Sequence, residues 1–198
     1  MAIAITFDDG PNRTTTLAML SLLEDLRVPA TFFVLGYMAE KNWESLKAIA
    51  ASGLKHEIGN HSWSHGNFEK MTDDQLRTEI TSVNNLVIHV LGKDYRPKLV
   101  RPPKGQLRKG QRKLIEDMSM KICGWDIDPH DWSHHRTEKS IVNEILLKMA
   151  DTKVVICHDV HPATLAAMKT VLPALKKKKF TFSTVSNLGR IPSGGLTG

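Results

Sequence analysis

Ala2-Ile3-Ala4-Ile5-Thr6-Phe7-Asp8-Asp9-Gly10-Pro11 opens the chain with an apolar run that ends on two acids and then turns. A short continuous apolar run bounded by a turn signal reads as a buried strand, and Gly10-Pro11 stops it. Asp8 and Asp9 are therefore expected at the carboxyl end of a strand. Consecutive strand residues point to opposite faces, so both acids reach one pocket only if the backbone bends there. Gly10 is the residue expected to allow the bend. Taken alone, Asp-Asp-Gly is more often a surface turn; what lies downstream weighs against that reading.

Working outward, further β-rich runs follow: Ala30 to Leu35, Lys55 to Gly59, Lys98 to Arg101, Lys121 to Trp125, Val154 to His158 and Phe180 to Val185. Between them lie segments with helical spacing, such as Leu17, Leu20, Leu23 and Leu26, then Trp43, Leu46 and Ala50, then Leu76, Ile80, Val83, Leu86 and Val90. Thr72 and Gln75 fit a capping box that starts one helix, and Pro29 and Gly53 are stops after two others. Strand and helix alternating in this way predict an α/β fold with a parallel sheet of about seven strands, closed as a deformed (β/α) barrel. A doubly wound open sheet is the alternative. The reading is of one domain over residues 1–190 and a loose tail over 191–198, with no linker or internal repeat.

The chain has 198 residues, 41% hydrophobic and 24% charged, which excludes disordered and collagen-like classes. No apolar run approaches the roughly 18 residues of a spanning helix, and the opening residues are strand-like, without a basic region followed by an apolar one. No membrane partner is therefore expected; the location is left open, with a secreted or cell-envelope one expected if a signal peptide was removed. The net charge of +6 could suggest nucleic acid, but the densest basic run, Lys176 to Lys179, ends a helical pattern, where cations complement the helix dipole. It also lacks interleaved aromatics for base stacking, so no nucleic acid is expected, and the chain is read as a monomer. Cys123 and Cys157 lie inside apolar runs and read as buried thiols.

In a barrel, chemistry gathers where the loops converge, at the carboxyl ends of the strands. Asp8 and Asp9 end the first run, His61 and His65 follow the third, Arg101 ends the fourth, Asp126 and Asp128 follow the fifth, and His158 ends the sixth. Two histidines four apart would share a face on a helical turn. Two imidazoles and a carboxylate, with Asp9 the candidate, make an open divalent-metal site of catalytic type. Such an ion lowers the pKa of a bound water and polarises a carbonyl. Asp8 is then the candidate base, held ionised by Arg101, and His158 the candidate acid, its imidazolium kept by Asp128 or Asp126. Trp63, beside the ligand histidines, is open between a platform for a sugar ring and packing of its own loop.

Five ordered stretches resemble the motifs of the NodB-like polysaccharide deacetylases, carbohydrate esterase family 4. They are Thr6-Phe7-Asp8-Asp9-Gly10-Pro11, His61-Ser62-Trp63-Ser64-His65, Arg101-Pro102-Pro103-Lys104-Gly105, Asp128-Pro129-His130-Asp131-Trp132 and Ile156-Cys157-His158. The resemblance implies a deformed barrel, Asp8 as base, Asp9, His61 and His65 on the metal, most simply zinc with cobalt or nickel as alternatives, and Arg101 orienting the base. It further implies Asp128 as the acid tuning His158, Trp132 and Ile156 lining the acetyl pocket, and an oxyanion donor at the backbone N–H of Lys104. Lys104 departs from the family's usual tyrosine, but a backbone donor survives a side-chain change. The implied partner is a glycan with acetylated sugars, such as chitin oligomers or peptidoglycan.

Other readings are an acetylxylan O-acetyl esterase, a two-histidine, one-carboxylate iron oxygenase, and a glycan-binding module without activity. A two-carboxylate glycosidase built on Asp8 and Asp9 is disfavoured, because adjacent acids cannot flank a scissile bond with the roughly 5–9 Å separation it requires.

Overall fold

In the computed structural model, which describes residues 1–197, each of the seven β-rich runs overlaps a strand, the third ending one residue later than expected, at Asn60. These are β1 (Ala2–Asp8), β2 (Thr31–Val34), β3 (Glu57–Asn60), β4 (Leu99–Val100), β5 (Lys121–Ile122), β6 (Val154–His158) and β7 (Thr181–Phe182). All pairings are parallel, in the order β5-β4-β3-β2-β1-β6, with β7 beside the amino end of β1. Seven helices lie among the described residues: α1 (Thr15–Asp25), α2 (Gly36–Lys41), α3 (Trp43–Ala51), α4 (Asp73–Leu91), α5 (Gln111–Asp117), α6 (Glu138–Lys148) and α7 (Pro162–Lys177).

The barrel is closed by the chain just after β5. Cys123 N–H donates to Val100 O on one side, while Asp126 N–H donates to Val154 O and Ile156 N–H to Ile127 O on the other. A segment that pairs first with β4 and then with β6 joins the two ends of the sheet, and the open-sheet alternative falls. Residues 123–127 do not form a regular strand, which is the deformation.

Alternation along the strands sorts side chains into two cores. Ile3, Ile5 and Phe7 of β1, Phe32 and Val34 of β2 and Val155 and Cys157 of β6 meet the helices, packing with Met19, Leu23, Val171 and Leu172. Ala4, Phe33, Val154 and Cys123 face the barrel interior with Leu99 and Val185. Thr6, Asp8, Ile156 and His158 fall on this inner face too, so the polar residues sit at its carboxyl end. Gly59 of β3 is required by this packing: a Cβ there would stand 2.5 Å from the Phe33 ring.

The capping box at the start of α4 is present, with Thr72 and Gln75 exchanging side-chain to backbone bonds. Of the spacing read for α1, Leu20 and Leu23 are buried, but Leu17 is 41% exposed and Met19 takes the inward position. The tail expected to be loose over 191–198 is docked through its described part, residues 191–197. Gly124 N–H donates to Pro192 O, Trp125 N–H to Gly194 O and Thr197 N–H to Gly105 O, and Gly195 lies so close to the Trp125 indole that a Cβ would come within 2.1 Å of it. Gly198 lies outside the described residues.

Candidate active site

β1 ends on Asp8, and the bend that turns Asp9 into the same cavity is at Asp9 itself, with φ of 72°, not at Gly10. Left-handed backbone is rare for a non-glycine residue, although Asp tolerates it better than most. Gly10 is needed for another reason: a Cβ there would stand 2.6 Å from Asp159 Oδ1. Asp159 is buried under this turn and accepts from Thr16 Oγ1, and desolvation pushes its carboxyl up to about 7.

His61 and His65 converge without a helical turn. The loop after β3 carries Ser62 at φ 73° and His65 at φ 59°, and these two left-handed residues fold it so that the imidazole centroids lie 5.1 Å apart. His65 N–H donates to Ser62 Oγ at 2.9 Å. Trp63 packs on Gly36, where a Cβ would come within 2.3 Å of its ring, and joins the edge of the main core. Its large face is spent on packing the loop.

His61 Nδ1 lies 2.7 Å from Arg101 O. A carbonyl only accepts, so Nδ1 carries the proton and Nε2 keeps its lone pair for the cavity. Burial drives the His61 pKa down to about 3, which keeps the ring neutral. His61 Nε2 and His65 Nε2 stand 3.5 and 3.4 Å from Asp9 Oδ1, and that oxygen is buried without a hydrogen-bond partner. Two ligands 2.0–2.2 Å from a tetrahedral ion stand roughly 3.3–3.6 Å apart. An orphaned oxygen and two nitrogen lone pairs at that separation fit a divalent cation, and Asp9, His61 and His65 are the residues that could hold it.

Arg101 is fully buried. Its Nη1 donates to Asp8 Oδ1 and Thr6 Oγ1, both at 2.7 Å, its Nη2 to Gly124 O at 2.9 Å and its Nε to Cys123 O at 3.3 Å. The guanidinium also lies 4.0 Å from the Phe33 centroid. A buried ion pair is tolerated only when its remaining donors are met in this way. Burial raises the Asp8 pKa, and Arg101 opposes the rise. Both cysteines are free and buried; Cys123 Sγ sits 3.6 Å from Arg101 Nη2.

The acid that holds His158 is Asp131, not Asp128 or Asp126. Asp131 Oδ1 lies 2.7 Å from His158 Nδ1, and Asp131 Oδ2 accepts from His158 N–H at 2.8 Å and from Thr164 Oγ1 at 2.5 Å. Burial works against a charge on His158, but the bond to Asp131 and the charges of Asp131, Asp8 and Asp9 outweigh it and raise its pKa to about 9. Asp128 is used one turn earlier: its Oδ1 accepts from His130 N–H at 2.6 Å, an Asx turn that sends His130 into left-handed backbone and delivers Asp131 to His158. Asp126 is taken up by Arg190 and Val154 N–H.

These side chains border one cavity of about 420 Å³, lined by Asp8, Asp9, His61, His65, His158 and Asp128 together with Pro102, Lys104, Trp125, Trp132 and Ile156. Trp132 is 53% exposed at its rim. Lys104 has φ of 58°. Of the site residues expected from the sequence, Asp8, Asp9, His61, His65, Lys104, Asp128, Trp132, Ile156 and His158 border this cavity and Arg101 supports it from beneath, whereas Asp126 does not line it. The arrangement holds a buried carboxylate beside a candidate metal site and an imidazolium facing both, which suits hydrolysis of an acyl bond. Asp131 and Trp125 were missed as functional residues, although Asp131 stands inside one of the five motifs.

A family model described as "Polysaccharide deacetylase" matches residues 1–123. The chain is 34% identical over 189 residues to PdaC of Bacillus subtilis, a peptidoglycan-N-acetylmuramic acid deacetylase, covering 96% of this chain and 39% of that protein. It therefore spans well under half of that relative. A solved structure of PdaC superposes with a TM-score of 0.87, at 34% identity, over 94% of this chain and 89% of that one. A Bacillus cereus peptidoglycan-N-acetylglucosamine deacetylase is 34% identical over 193 residues, 95% of this chain and 88% of its own. A chitooligosaccharide deacetylase of Azorhizobium caulinodans is 28% identical over 193 residues, covering 90% of each.

Proposed function

Since this chain belongs to the polysaccharide deacetylase family, we propose that it is a metal-dependent hydrolase removing acetyl groups from N-acetylated sugars of a glycan such as peptidoglycan or chitin oligomers. One observation carries the reading: a carboxylate held by Arg101 and an imidazole held by Asp131 stand side by side on one wall of a cavity that the Asp9, His61, His65 cluster also lines. A divalent ion, zinc being the simplest for this donor set, supplies Lewis acidity toward water and the acetyl oxygen when bound.

The chain's own residues do the rest. Asp8 keeps one oxygen on Arg101 and turns the other, 3.7 Å from His61 Nε2, toward the ligand cluster. From there it takes a proton from the attacking water, and burial, by raising its basicity, helps it do so. Water oxygen bonds to the acetyl carbon, and the backbone N–H of Lys104 is the candidate donor for the oxyanion. Cleavage of the carbon–nitrogen bond follows, with His158 giving its cavity-side proton to the departing amine. Acetate and a free amino sugar leave. Trp132 and Ile156 bound the acetyl group, and a cell-wall glycan as substrate would place the protein at the cell envelope.

The test is acetate release from peptidoglycan, chitin oligomers and acetylated xylan by chelated protein resupplied with zinc, cobalt or nickel. Metal-dependent release, best on an N-acetylated glycan, is expected, and D8N should lower kcat by about 10²–10⁴-fold. A folded D8N protein with near wild-type turnover would overturn the mechanism. Glycan binding with no acetate under any metal would replace the enzyme by a binding module.

A further inference from the structure

The loop that presents His61 and His65 is held from outside the cavity by one side chain of α4. Glu79 Oε2 accepts from Trp63 N–H at 2.9 Å and from Ser64 N–H at 2.8 Å, and Glu79 Oε1 accepts from Ser64 Oγ at 2.9 Å. These are the backbone groups lying between the two left-handed residues, Ser62 and His65. The same helix holds the start of the loop: Asn60 Nδ2 donates to Ile80 O and Asn84 Oδ1, both at 2.9 Å, and Asn60 Oδ1 accepts from Ser62 N–H at 2.8 Å. On the other side of the loop, Ser62 O and Trp63 O accept from Gly36 and Tyr37 N–H at the start of α2. The N–H groups of Trp63 and Ser64 have Glu79 as acceptor.

We propose that Glu79 is a positioning residue of the metal-ligand loop, fixing the backbone that brings both imidazoles to Asp9. It touches neither ion nor substrate and acts through Trp63 and Ser64. A carboxyl group meeting two consecutive N–H groups and the hydroxyl of the second specifies the loop more tightly than packing does, because it fixes the direction of both peptide planes. Without it, the two peptide N–H groups between the left-handed residues lose the acceptor that holds the strained loop in place, and the imidazoles no longer stand ready at ligand separation. Partners that orient metal ligands from behind typically change affinity 10–100-fold when removed. The inference rests on the reading of Asp9, His61 and His65 as metal ligands.

The test compares zinc affinity, by competition with a chromophoric chelator, of wild-type protein, E79A, E79Q and V83A, each with its thermal midpoint measured without metal. Zinc binding by the wild type tests the ligand reading; the ratio of variant to wild-type affinity tests Glu79, so the two failures are distinct. E79A should bind zinc about 10–100-fold more weakly and regain wild-type kcat at saturating zinc. E79Q should fall between, because its amide oxygen still meets the N–H groups while its NH₂ can donate to Ser64 Oγ. V83A, which hollows the buried face of the same helix, should lower the midpoint and leave zinc affinity unchanged. Zinc affinity of E79A within a factor of two of wild type overturns the proposal. So does a loss matched by V83A at equal destabilisation. If E79A does not fold, zinc affinity of E79Q within a factor of two of wild type overturns it equally.

Discussion

Asp8 and His158 are register partners on adjacent parallel strands, with backbones about 4.8 Å apart, so base and acid stand side by side and differ only in what lies behind them. Burial raises the Asp8 carboxyl, while Asp131 carries His158 up to about 9 against its own burial. The protonated imidazole, needed as donor, therefore persists through neutral pH and is lost as pH rises through about 9. In D131N burial is opposed only by the charges of Asp8 and Asp9, and the alkaline limb of kcat/KM should move down from about 9 toward 6.5, whereas in D128N it should stay. A limb that D131N leaves in place would assign it to another group. The same shift is a stability statement: because the folded pKa lies above the unfolded 6.5, the contribution is complete below 6.5 and fades as pH rises through about 9. Most of these residues were legible in the sequence, since each is polar at the end of an apolar run. Asp131 was not, because Asp128 and Asp131 flank the same turn and their order of use depends on an Asx turn that spacing does not reveal.

At the scale of elements, the site depends on how closely α2 approaches the loop after β3. Gly36 N–H donates to Ser62 O, and the Trp63 ring occupies the space where a Gly36 side chain would be. G36A should cost roughly 1–3 kcal/mol through overpacking, seen as a lower urea midpoint at unchanged slope. It should also weaken zinc binding, since relief of the clash moves Trp63 and the loop between the ligands. Full stability in G36A would mean that Trp63 can leave its seat freely, and the loop would then owe its shape to hydrogen bonds alone. All seven strands were legible as apolar runs, and α4 as a capping box with a periodic face. The helical turn expected at His61 to His65 was not found, because spacing of four is compatible with any loop whose dihedrals return on themselves. The docked carboxyl-terminal segment was hidden for a related reason: Gly194 and Gly195 look like punctuation until Trp125 is seen packed against them.

For the whole molecule, closure of the barrel brings together loops that leave β1, β3 and β6, and the candidate metal ligands tie two of these together. Asp9 follows β1 and the histidines follow β3, with β2 between them, so an ion held by all three cross-links the folded sheet and has no comparable site in the unfolded chain. The choice of barrel over open sheet rests on irregular residues 123–127, which propensity does not single out. The energetic consequence is measurable. Zinc at a hundredfold excess over its Kd should stabilise the fold by about 2.7 kcal/mol, a rise in Tm of roughly 5–11 °C at the 2–4 °C per kcal/mol typical of chains this size. D9N should lose most of that rise, since the oxygen it removes is the one both imidazoles face. D8N should keep it relative to its own metal-free midpoint, because Asp8 is committed to Arg101. Retention of the full rise in D9N together with its loss in D8N would exchange the roles of the two adjacent acids, making Asp8 the ligand and leaving Asp9 to take the proton.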